Sequence, residues 1–414
     1  MNCFVLFNYN GSWYHFEHSN RPKREIHKHE SVESEIKEIT SGYEEHGDIR
    51  KLTEIDSIPD GLAFKEFNNF VNEFDRIGGD NVDTNKFLNK MIIELKLGNL
   101  IEPISQVSGG LTHRMFKVFT DKGRYIVKLL NPNIMKRPTA MNNFNTADKF
   151  EEILKENNID AVYSLKINDK KMQEIDGQYF YVYEWFDGKS LKDEEITIEH
   201  CKKIGELLAK IHNINLKKDE IKAKTRNIDF KYYIDLAKEK DSVIYNMIYD
   251  KLDILNESMY KGNESINNLP EFSAICHNDM DSKNVMWLNG DYKLIDLECL
   301  GYSNPYLELY ELALCWSGYE KCNIDFNKFS AFFKSYIENT TLDMNVDWES
   351  IYYANNGRLD WLEFNIKRSL MIECDTKEEQ QIGINEVKET IEHVVYYDKV
   401  KDKILNNIYK LIKR

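Results

Sequence analysis

The chain of 414 residues lacks long apolar runs, internal repeats and low-complexity segments. No stretch approaches the roughly 18 consecutive apolar residues that a membrane-spanning helix needs, so the sequence argues against a membrane protein of that kind. Hydrophobic residues make up 42% and charged residues 30% of the sequence, which is typical of a globular protein rather than a disordered one. A chain of this length has room for two or three domains.

Cysteines are few and scattered, and their pattern argues against both a disulfide framework and a structural zinc site. There are seven, an odd number, and none of them forms a Cys-x-x-Cys pair. The first residues, Met1 to Phe4, lack the basic segment that begins a signal peptide. We therefore expect a cytoplasmic protein.

Basic residues are outnumbered by acidic ones, and the formal net charge is −15. Nucleic-acid phosphates would be repelled by such a protein, so a nucleic-acid partner is disfavoured. The charge is compatible with a cationic small-molecule substrate, although it does not say where the carboxylates lie.

Polar residues recur at informative spacing between residues 277 and 296, in HNDMDSKNVMWLNGDYKLID. Apolar residues flank each polar cluster, which predicts two short buried strands joined by a turn at 289–291. The carboxylate of Asp279 is suited to orienting an attacking hydroxyl and accepting its proton. Asn284 and Asp296 offer the oxygen ligands that Mg²⁺ prefers near phosphates. The alternative is that all three are ordinary turn residues.

Residue type, spacing and order in this stretch match the catalytic-loop scheme of kinases. The variant found here, His277-Asn278-Asp279 with Asn284 and then Asp296-Leu297-Glu298, resembles the aminoglycoside phosphotransferase and choline kinase superfamily. That family has H-[GN]-D-x₄-N followed by I-D-[WFL]-E. The resemblance implies an α+β, protein-kinase-like fold with a five-stranded antiparallel N-lobe at 81–187 and a helical C-lobe at 188–414. In it Asp279 is catalytic, and Asn284 and Asp296 hold Mg²⁺ for ATP or GTP.

A glycine-containing turn precedes a lysine in the manner of a kinase N-lobe. Backbone amides of Gly109 and Gly110, with hydroxyls of Ser108 and Thr112, can approach phosphate oxygens. Lys128 follows inside an apolar strand-like run, where an ammonium needs a partner. The resemblance assigns it to the α- and β-phosphates; the alternative is a surface lysine whose stem alone is buried.

Two further segments complete the nucleotide site that the resemblance implies. The predicted helix from Ala140 to Asn157 would supply the carboxylate that pairs with Lys128; Asp148 has the matching position, and Glu151 and Glu152 are alternatives. A strand-like run ends at 184–186, where the backbone would bind the purine. The residues of that hinge are Glu184, Trp185 and Phe186.

The helices around the catalytic loop carry the remaining candidates. His212, at the end of the predicted helix 197–213, is interpreted as a hydrogen-bonded core histidine. In the family an aspartate after the metal aspartate ties down the catalytic loop, and Glu308 has that place here. Acidic and aromatic residues beyond Asp296 favour a cationic acceptor; they are Glu298, Tyr302, Tyr306, Glu308, Glu311, Trp316 and Tyr319. The alternative for Trp316 is a place in the core.

Residues 1–80 are predicted to form a small separate domain. Strand-like runs at 4–7 and 13–16 flank the hairpin turn Asn10-Gly11, and a helix is predicted at 62–77. The run 13–17, WYHFE, weakly resembles the last strands of a transglutaminase-like domain. Asn2 stands where that family has its catalytic histidine, so we expect a remnant without acyl-transfer activity. Histidines at 15, 18, 27 and 29 are interpreted as surface or packing residues rather than metal ligands.

The sequence thus predicts transfer of the γ-phosphoryl group of a nucleotide to a hydroxyl of a small molecule. The alternative is a pseudokinase that binds a nucleotide or a partner without transferring phosphate; the intact Asp279, Asn284, Asp296 and Lys128 argue against it. The identity of the acceptor, the choice between ATP and GTP and the oligomeric state stay open at this stage.

Overall fold

Two structural units make up the described part of the chain in the computed structural model. The described residues are 3–9, 12–18, 26–29, 81–107, 113–218, 225–355, 358–372, 374 and 376–413. One unit comprises those up to Leu130 together with Glu174–Phe180, and the other comprises Asn131–Gln173 and the residues from Tyr181 onward. Within the described residues, no helix is both long and apolar enough to cross a membrane.

The chain begins with a three-stranded antiparallel sheet. It contains β1 (Cys3–Tyr9), β2 (Ser12–His18) and β3 (Ile26–His29) in that order. Tyr9 pairs with Ser12 across the connection at 10–11, so the predicted hairpin is confirmed. The helix predicted at 62–77 lies outside the described residues, and the transglutaminase-like remnant stays a prediction.

A five-stranded sheet follows helix α1 (Asn81–Glu94). Its strands are β4 (Ser105–Val107), β5 (Arg114–Thr120), β6 (Gly123–Leu129), β7 (Gln173–Ile175) and β8 (Gln178–Glu184), in the spatial order β4-β5-β6-β8-β7. The β4–β5 and β5–β6 ladders are antiparallel, as predicted. Apolar side chains from α1 and the sheet form the core of this unit, and the Phe87 ring packs edge-on against the Phe180 ring, with centroids 5.7 Å apart.

The second unit is mainly helical. Its helices are α2 (Pro132–Met135), α3 (Ala140–Glu156), α4 (Ile198–Ile214), α5 (Phe230–Lys240), α6 (Ser242–Tyr249), α7 (Leu252–Ile266), α8 (Pro305–Cys315), α9 (Phe326–Asn339), α10 (Trp348–Ala354), α11 (Arg358–Ser369) and α12 (Lys377–Ile412). Its short strands are β9 (Lys189–Ser190), β10 (Ala274–Cys276), β11 (Val285–Leu288), β12 (Asp291–Leu294) and β13 (Gly301–Ser303). The predicted helices at 140–157 and 197–213 are confirmed within a few residues.

Two hydrophobic clusters hold this unit together. The larger one collects side chains from α4, α8, α9, α10 and the short strands, among them Ile275, Val285 and Leu294. It therefore packs directly against the strands that bound the 277–296 stretch. The second cluster joins α5, α6, α7, α11 and the first half of α12, with Leu255, Leu362 and Val387 among its members.

A close approach of α4 to α9 depends on Gly205. A Cβ atom at this position would collide with the backbone carbonyl of Phe332, so any larger residue would push the helices apart. The same two helices carry His212 and Tyr336, whose side chains meet further along the pair. The glycine thus sets a helix spacing that a hydrogen bond near the catalytic loop requires.

Candidate active site

The 277–296 stretch forms a hairpin with polar side chains at its ends. β11 and β12 pair antiparallel, with Leu288 opposite Asp291. Asn289 and Gly290 both have positive φ, 53° and 88°, as the two-residue type I′ turn requires. The predicted hairpin is therefore confirmed. β10, which leads into the hairpin, pairs with β13, which follows Asp296, so the chain before and after the site is joined by one ladder.

Asp279 and Asn284 are in direct contact. The Asn284 Nδ2 group donates to Asp279 Oδ2 and to the Asp279 carbonyl, both at 2.8 Å. The amide of Ile295, next to Asp296, donates to the Asn284 carbonyl at 3.0 Å. The structure thus brings together the segments that carry all three predicted residues. Because its nitrogen is committed to Asp279, the buried Asn284 side chain has its oxygen left as a ligand atom.

The backbone at this site is strained in two places. Asn278 and Asp296 have φ values of 61° and 60°, in the left-handed region. Such conformations cost about 1–3 kcal/mol each for residues other than glycine, and they cluster at functional sites. The Asn278 side chain offsets part of this cost, because its Nδ2 donates to the Cys299 carbonyl at 2.9 Å. That bond also ties the catalytic loop to the turn after Asp296.

Glu308 on α8 forms a hydrogen bond with the backbone of the loop at 277–284, the predicted catalytic loop. Its Oε1 accepts the backbone N–H of Asn278 at 2.6 Å, and its Oε2 lies 2.7 Å from His212 Nε2. His212 Nδ1 in turn contacts the Tyr336 hydroxyl at 2.7 Å. Burial acts to raise the pKa of Glu308, but the hydrogen bonds from His212 and Asn278 outweigh it and leave the pKa below the ordinary value. The predicted roles of Glu308 and His212 are confirmed.

The hydrogen-bonded group of Glu308, His212 and Tyr336 is called the brace below. Cys276 lies beside the brace, and its sulfur is 3.6 Å from His212 Nε2. Among the described residues, donor atoms of His212, Cys276 and Glu308 fall within 4.8 Å of one another, as in a metal site. Both nitrogens of His212 and both oxygens of Glu308 already have partners, however. We therefore interpret the cluster as a hydrogen-bonded brace.

Two other buried side chains support the loop. Trp316 is only 1% exposed, so the alternative that places it in the core is confirmed. Its Nε1 also donates to the Met280 carbonyl at 2.9 Å. His277 Nε2 contacts the Ile295 carbonyl at 3.3 Å. Burial lowers the pKa of His277, which favours the neutral imidazole. Neither contact was indicated by the sequence pattern.

The predicted nucleotide-binding residues fall in different places. Ser108, Gly109, Gly110 and Thr112 lie outside the described residues. Lys128 lies in β6 opposite Met115 and is 7% exposed, which rejects the alternative of a surface lysine. Glu184 is the last residue of β8, and Trp185 and Phe186 follow it directly.

The acidic residues of α3 contact a lysine that the sequence analysis did not identify. Lys171 is buried, and its ammonium lies 3.2 Å from Glu151 and 2.8 Å from Glu152. It also donates to the Asp148 carbonyl at 3.3 Å, while Asp148 Oδ1 accepts the Tyr181 hydroxyl at 3.1 Å. Burial raises the pKa values of Asp148 and Glu151. Lys171 follows three polar residues, so no apolar alternation indicated its burial.

A cavity of about 740 Å³ opens beside Asp279 within the second unit. Its wall includes residues of the catalytic loop, of α8 and of α11, notably Asp279, Asp281, Glu311, Arg358 and Trp361. Of the seven acidic and aromatic residues predicted for an acceptor pocket, the lining includes Glu308, Glu311 and Tyr319. Tyr306 and Trp316 instead belong to the core.

Glu311 is a carboxylate of this cavity without a direct ion-pair partner among the described residues. Arg358 pairs with Glu320 at 2.6 Å, and Arg226 pairs with Asp360 at 2.8 Å. Glu311 has neither a hydrogen-bond nor an ion-pair partner among the described residues. The surrounding protein raises the pKa of Glu311, and the neighbouring carboxylates of Glu308 and Glu320 raise it further. The cavity therefore contains a carboxylate that no described side chain pairs with directly, and the nearby charge of Arg358 offsets only part of the rise in its pKa.

Several solved structures are similar to this chain at low sequence identity. A spectinomycin phosphotransferase, solved with ADP and spectinomycin, is 13% identical, with a TM-score of 0.52 and coverage of 75% of this chain and 98% of that one. An amicoumacin kinase, solved with AMP-PNP and Ca²⁺, is 13% identical at a TM-score of 0.49, covering 76% and 96%. Ethanolamine kinase from Plasmodium vivax is 16% identical at 0.42, covering 70% and 81%. The first of these similarities supports the protein-kinase-like fold.

Comparison with curated protein sequences finds no match. Residues 103–325, however, match the sequence model of the family described as "Phosphotransferase enzyme family". The match covers more than half of the 414 residues and includes Lys128, the whole catalytic hairpin and the Glu308 brace. The chain belongs to the phosphotransferase enzyme family.

Proposed function

We propose that this protein transfers the γ-phosphoryl group of ATP (or GTP) to a hydroxyl of a small molecule. The observation that carries the proposal is the position of Asp279. Its carboxylate lines the cavity, while the Asn284 side chain, 2.8 Å away, holds one of its oxygens. A base fixed at the wall of an acceptor-sized cavity is what this reaction requires.

In the proposed reaction, the acceptor hydroxyl lies in the cavity and donates its hydrogen to Asp279. The hydroxyl oxygen then forms a bond to the γ-phosphorus as the bond from that phosphorus to the β–γ bridging oxygen breaks. The proton passes to Asp279, and ADP leaves with the bridging oxygen. Asn284 Nδ2 holds Asp279 Oδ2, so the other oxygen, Oδ1, is the one that faces the hydroxyl.

The side chains present fit a magnesium ion. Asn284 and Asp296 offer oxygen ligands, and the Asn284 amide is oriented by its bond to Asp279. Bound Mg²⁺ would neutralise charge on the nucleotide phosphates. For the nucleotide itself, we keep Lys128 and residues 108–112 for the phosphates, Asp148 as the partner of Lys128, and the backbone at 184–186 for the purine. The same proposal divides the chain into a small N-terminal domain at 1–80, an N-lobe at 81–187 and a helical C-lobe at 188–414.

The cavity favours an acceptor larger than a simple amino alcohol. A water molecule occupies about 30 Å³ in the liquid, so a molecule of a few heavy atoms would leave most of 740 Å³ unfilled. The volume falls within the range of about 300–1,000 Å³ that holds drug-sized ligands. Glu311 adds a carboxylate without a direct partner in the described part of the chain, which favours an ammonium group on the acceptor. A multi-ring aminated alcohol fits both features.

Two substitutions test the assignment of Asp279 and Asp296. Asp279→Asn should lower turnover by about 10²–10⁴-fold, because it removes the proton acceptor, while MgATP binding stays nearly intact. Asp296→Ala should weaken MgATP binding itself, since it removes a metal ligand. The measurements are ADP release with a panel of aminoglycosides, choline-like amines and sugars, and MgATP titration calorimetry.

A matched control comes from the same hairpin. Asp291, an exposed residue after the β11–β12 turn, should tolerate Asp291→Asn without loss of activity. If Asp279→Asn and Asp296→Ala both released ADP like the unmodified protein, the proposal would be wrong. MgATP binding without ADP release for any acceptor would favour the pseudokinase alternative.

A further inference from the structure

A lysine of the catalytic loop lies against the catalytic carboxylate. Lys283 belongs to a short 3₁₀ turn, Ser282–Asn284, and its ammonium is 2.8 Å from Asp281 Oδ2 and 3.4 Å from Asp279 Oδ1. Asp281 also accepts the backbone N–H of Lys283 through Oδ1 at 3.0 Å. Asp281 therefore holds both the backbone and the side chain of Lys283 and directs the ammonium toward Asp279.

The two oxygens of Asp279 have different partners. Oδ2 accepts a hydrogen bond from Asn284, and Oδ1 faces Lys283. A hydroxyl that uses Asp279 as its base must therefore take the place of Lys283 at Oδ1. The exchange costs little, because the Lys283 and Asp279 side chains are 64% and 38% exposed and such ion pairs contribute little to stability.

We propose that Lys283 is a further catalytic residue, whose ammonium moves from Asp279 to the oxygens of the phosphoryl group during transfer. This inference rests on the proposed function. Reacting atoms approach to about 3–3.5 Å, so a phosphorus attacked by a hydroxyl on Asp279 Oδ1 comes within reach of the Lys283 side chain. Negative charge is spread over three phosphoryl oxygens at that point. Asp281 keeps the ammonium at the site after it leaves Asp279.

In the proposed step, Lys283 acts as a hydrogen-bond donor and does not transfer a proton. The acceptor proton passes to Asp279, the new phosphorus–oxygen bond forms, and ADP leaves. Lys283 keeps all three of its protons and donates hydrogen bonds to the transferred group. If Lys283 instead served only as a partner of Asp279 and Asp281, it would affect the stability of the loop and leave the transition state unchanged.

Three variants distinguish these roles. Lys283→Met removes the charge, and Lys283→Arg keeps it. Lys334→Met is the matched control, because Lys334 is 62% exposed and pairs with Glu338 four residues away on α9. The readouts are turnover with the best acceptor of the panel, affinity for MgADP alone, and affinity for MgADP with aluminium fluoride, which mimics the phosphoryl group in transfer. Thermal unfolding checks the fold of each variant.

We expect Lys283→Met to lower turnover and the affinity for the aluminium fluoride complex by about 10²-fold, the loss typical of one transition-state donor. The MgADP affinity and the melting temperature of Lys283→Met should stay the same. Lys283→Arg should retain most of the turnover and of the affinity for the aluminium fluoride complex, and Lys334→Met should behave like the unmodified protein. Unchanged turnover and analogue affinity in Lys283→Met would overturn the inference, as would equal losses for MgADP and the analogue. If the unmodified protein itself showed neither analogue binding nor turnover, the proposed function would fail, and the inference with it.

Discussion

Replacing Glu311 by glutamine should weaken acceptor binding and stabilise the protein at the same time. The substitution keeps the size of the side chain and removes its charge. Glu311 lines the cavity and has no direct ion-pair partner among the described residues. The surrounding protein and the carboxylates of Glu308 and Glu320 raise its pKa, and Arg358 offsets part of the rise. A charge kept in this position without a partner indicates a binding role rather than a structural one.

The expected loss of binding follows from the type of contact. A hydrogen bond to a charged group contributes about 1.5–3 kcal/mol. The KM for an ammonium acceptor should therefore be about 10- to 150-fold higher in Glu311→Gln than in the unmodified protein. In the unmodified protein, KM should rise as the pH falls through the raised pKa of Glu311, because protonation removes the charge. In Glu311→Gln the KM should not change over that pH range. The nearby charges of Glu308, Glu320, Arg358 and Asp279 stay in place in both proteins.

The gain in stability that we expect from Glu311→Gln increases with pH. A carboxyl group whose pKa is raised in the folded state contributes stability below its ordinary pKa and loses it as the pH rises through the raised value. The charged form of Glu311 therefore destabilises the fold at neutral pH. Because water in the cavity screens the charge, we expect a gain of about 0.5 kcal/mol for Glu311→Gln at pH 8, at the low end of such substitutions. The gain should be smaller at pH 5.5, where more of Glu311 is protonated.

The assays are acceptor kinetics between pH 5.5 and 8 (about the range in which the protein should stay folded) and urea unfolding at the two pH extremes. Glu239→Gln on α5, an exposed glutamate outside the cavity lining, is the control and should change neither quantity. An unchanged KM in Glu311→Gln would place the ammonium group elsewhere. A loss of stability at pH 8 would refute the electrostatic reasoning.

Two further predictions concern the brace and the acceptor. Glu308→Ala should lower the free energy of unfolding, measured in urea, by about 3–5 kcal/mol, because it leaves the buried His212 and the Asn278 amide without their partner. Glu308→Gln keeps an acceptor for the amide and should lower the free energy of unfolding by less. Equal losses in the two variants would contradict the role of Glu308 as a shared hydrogen-bond acceptor. For an ammonium acceptor, KM should increase with ionic strength as the cavity charge is screened, whereas the KM of a neutral sugar should not; a best acceptor without positive charge would contradict the role of Glu311.

The brace explains how the strained backbone persists at the site. Asn278 holds a left-handed conformation while its amide is bound to Glu308 and its side chain to the Cys299 carbonyl. Trp316 adds a donor to the carbonyl of Met280 on the other side of Asp279. Asp279, the proposed base, is thus flanked by residues whose backbone is fixed by hydrogen bonds from buried side chains. Such pre-organisation lowers the cost of orienting the base when the acceptor binds.

The sequence by itself determined the local features of the fold. The spacing of Asp279, Asn284 and Asp296, the turn at Asn289-Gly290 and the periodicity of the main helices all depend on residues close together in the chain. These predicted the hairpin and the main helices, while the family resemblance implied the five-stranded sheet, the helical C-lobe and the role of Glu308. Local patterns succeed here because strands, turns and helices have fixed periods of their own.

Only the tertiary structure decided which side chains of that framework face one another. Lys171 meets Glu151 across 20 positions, and Trp316 reaches the Met280 carbonyl across 36. The same packing divides the acidic and aromatic candidates after Asp296, since one face of α8 lines the cavity, with Glu311, and another enters the core, with Tyr310. Helical period alone gives the angle between such residues. Which angle faces the acceptor is set by the helices and strands that pack around α8, and those lie far away in the chain.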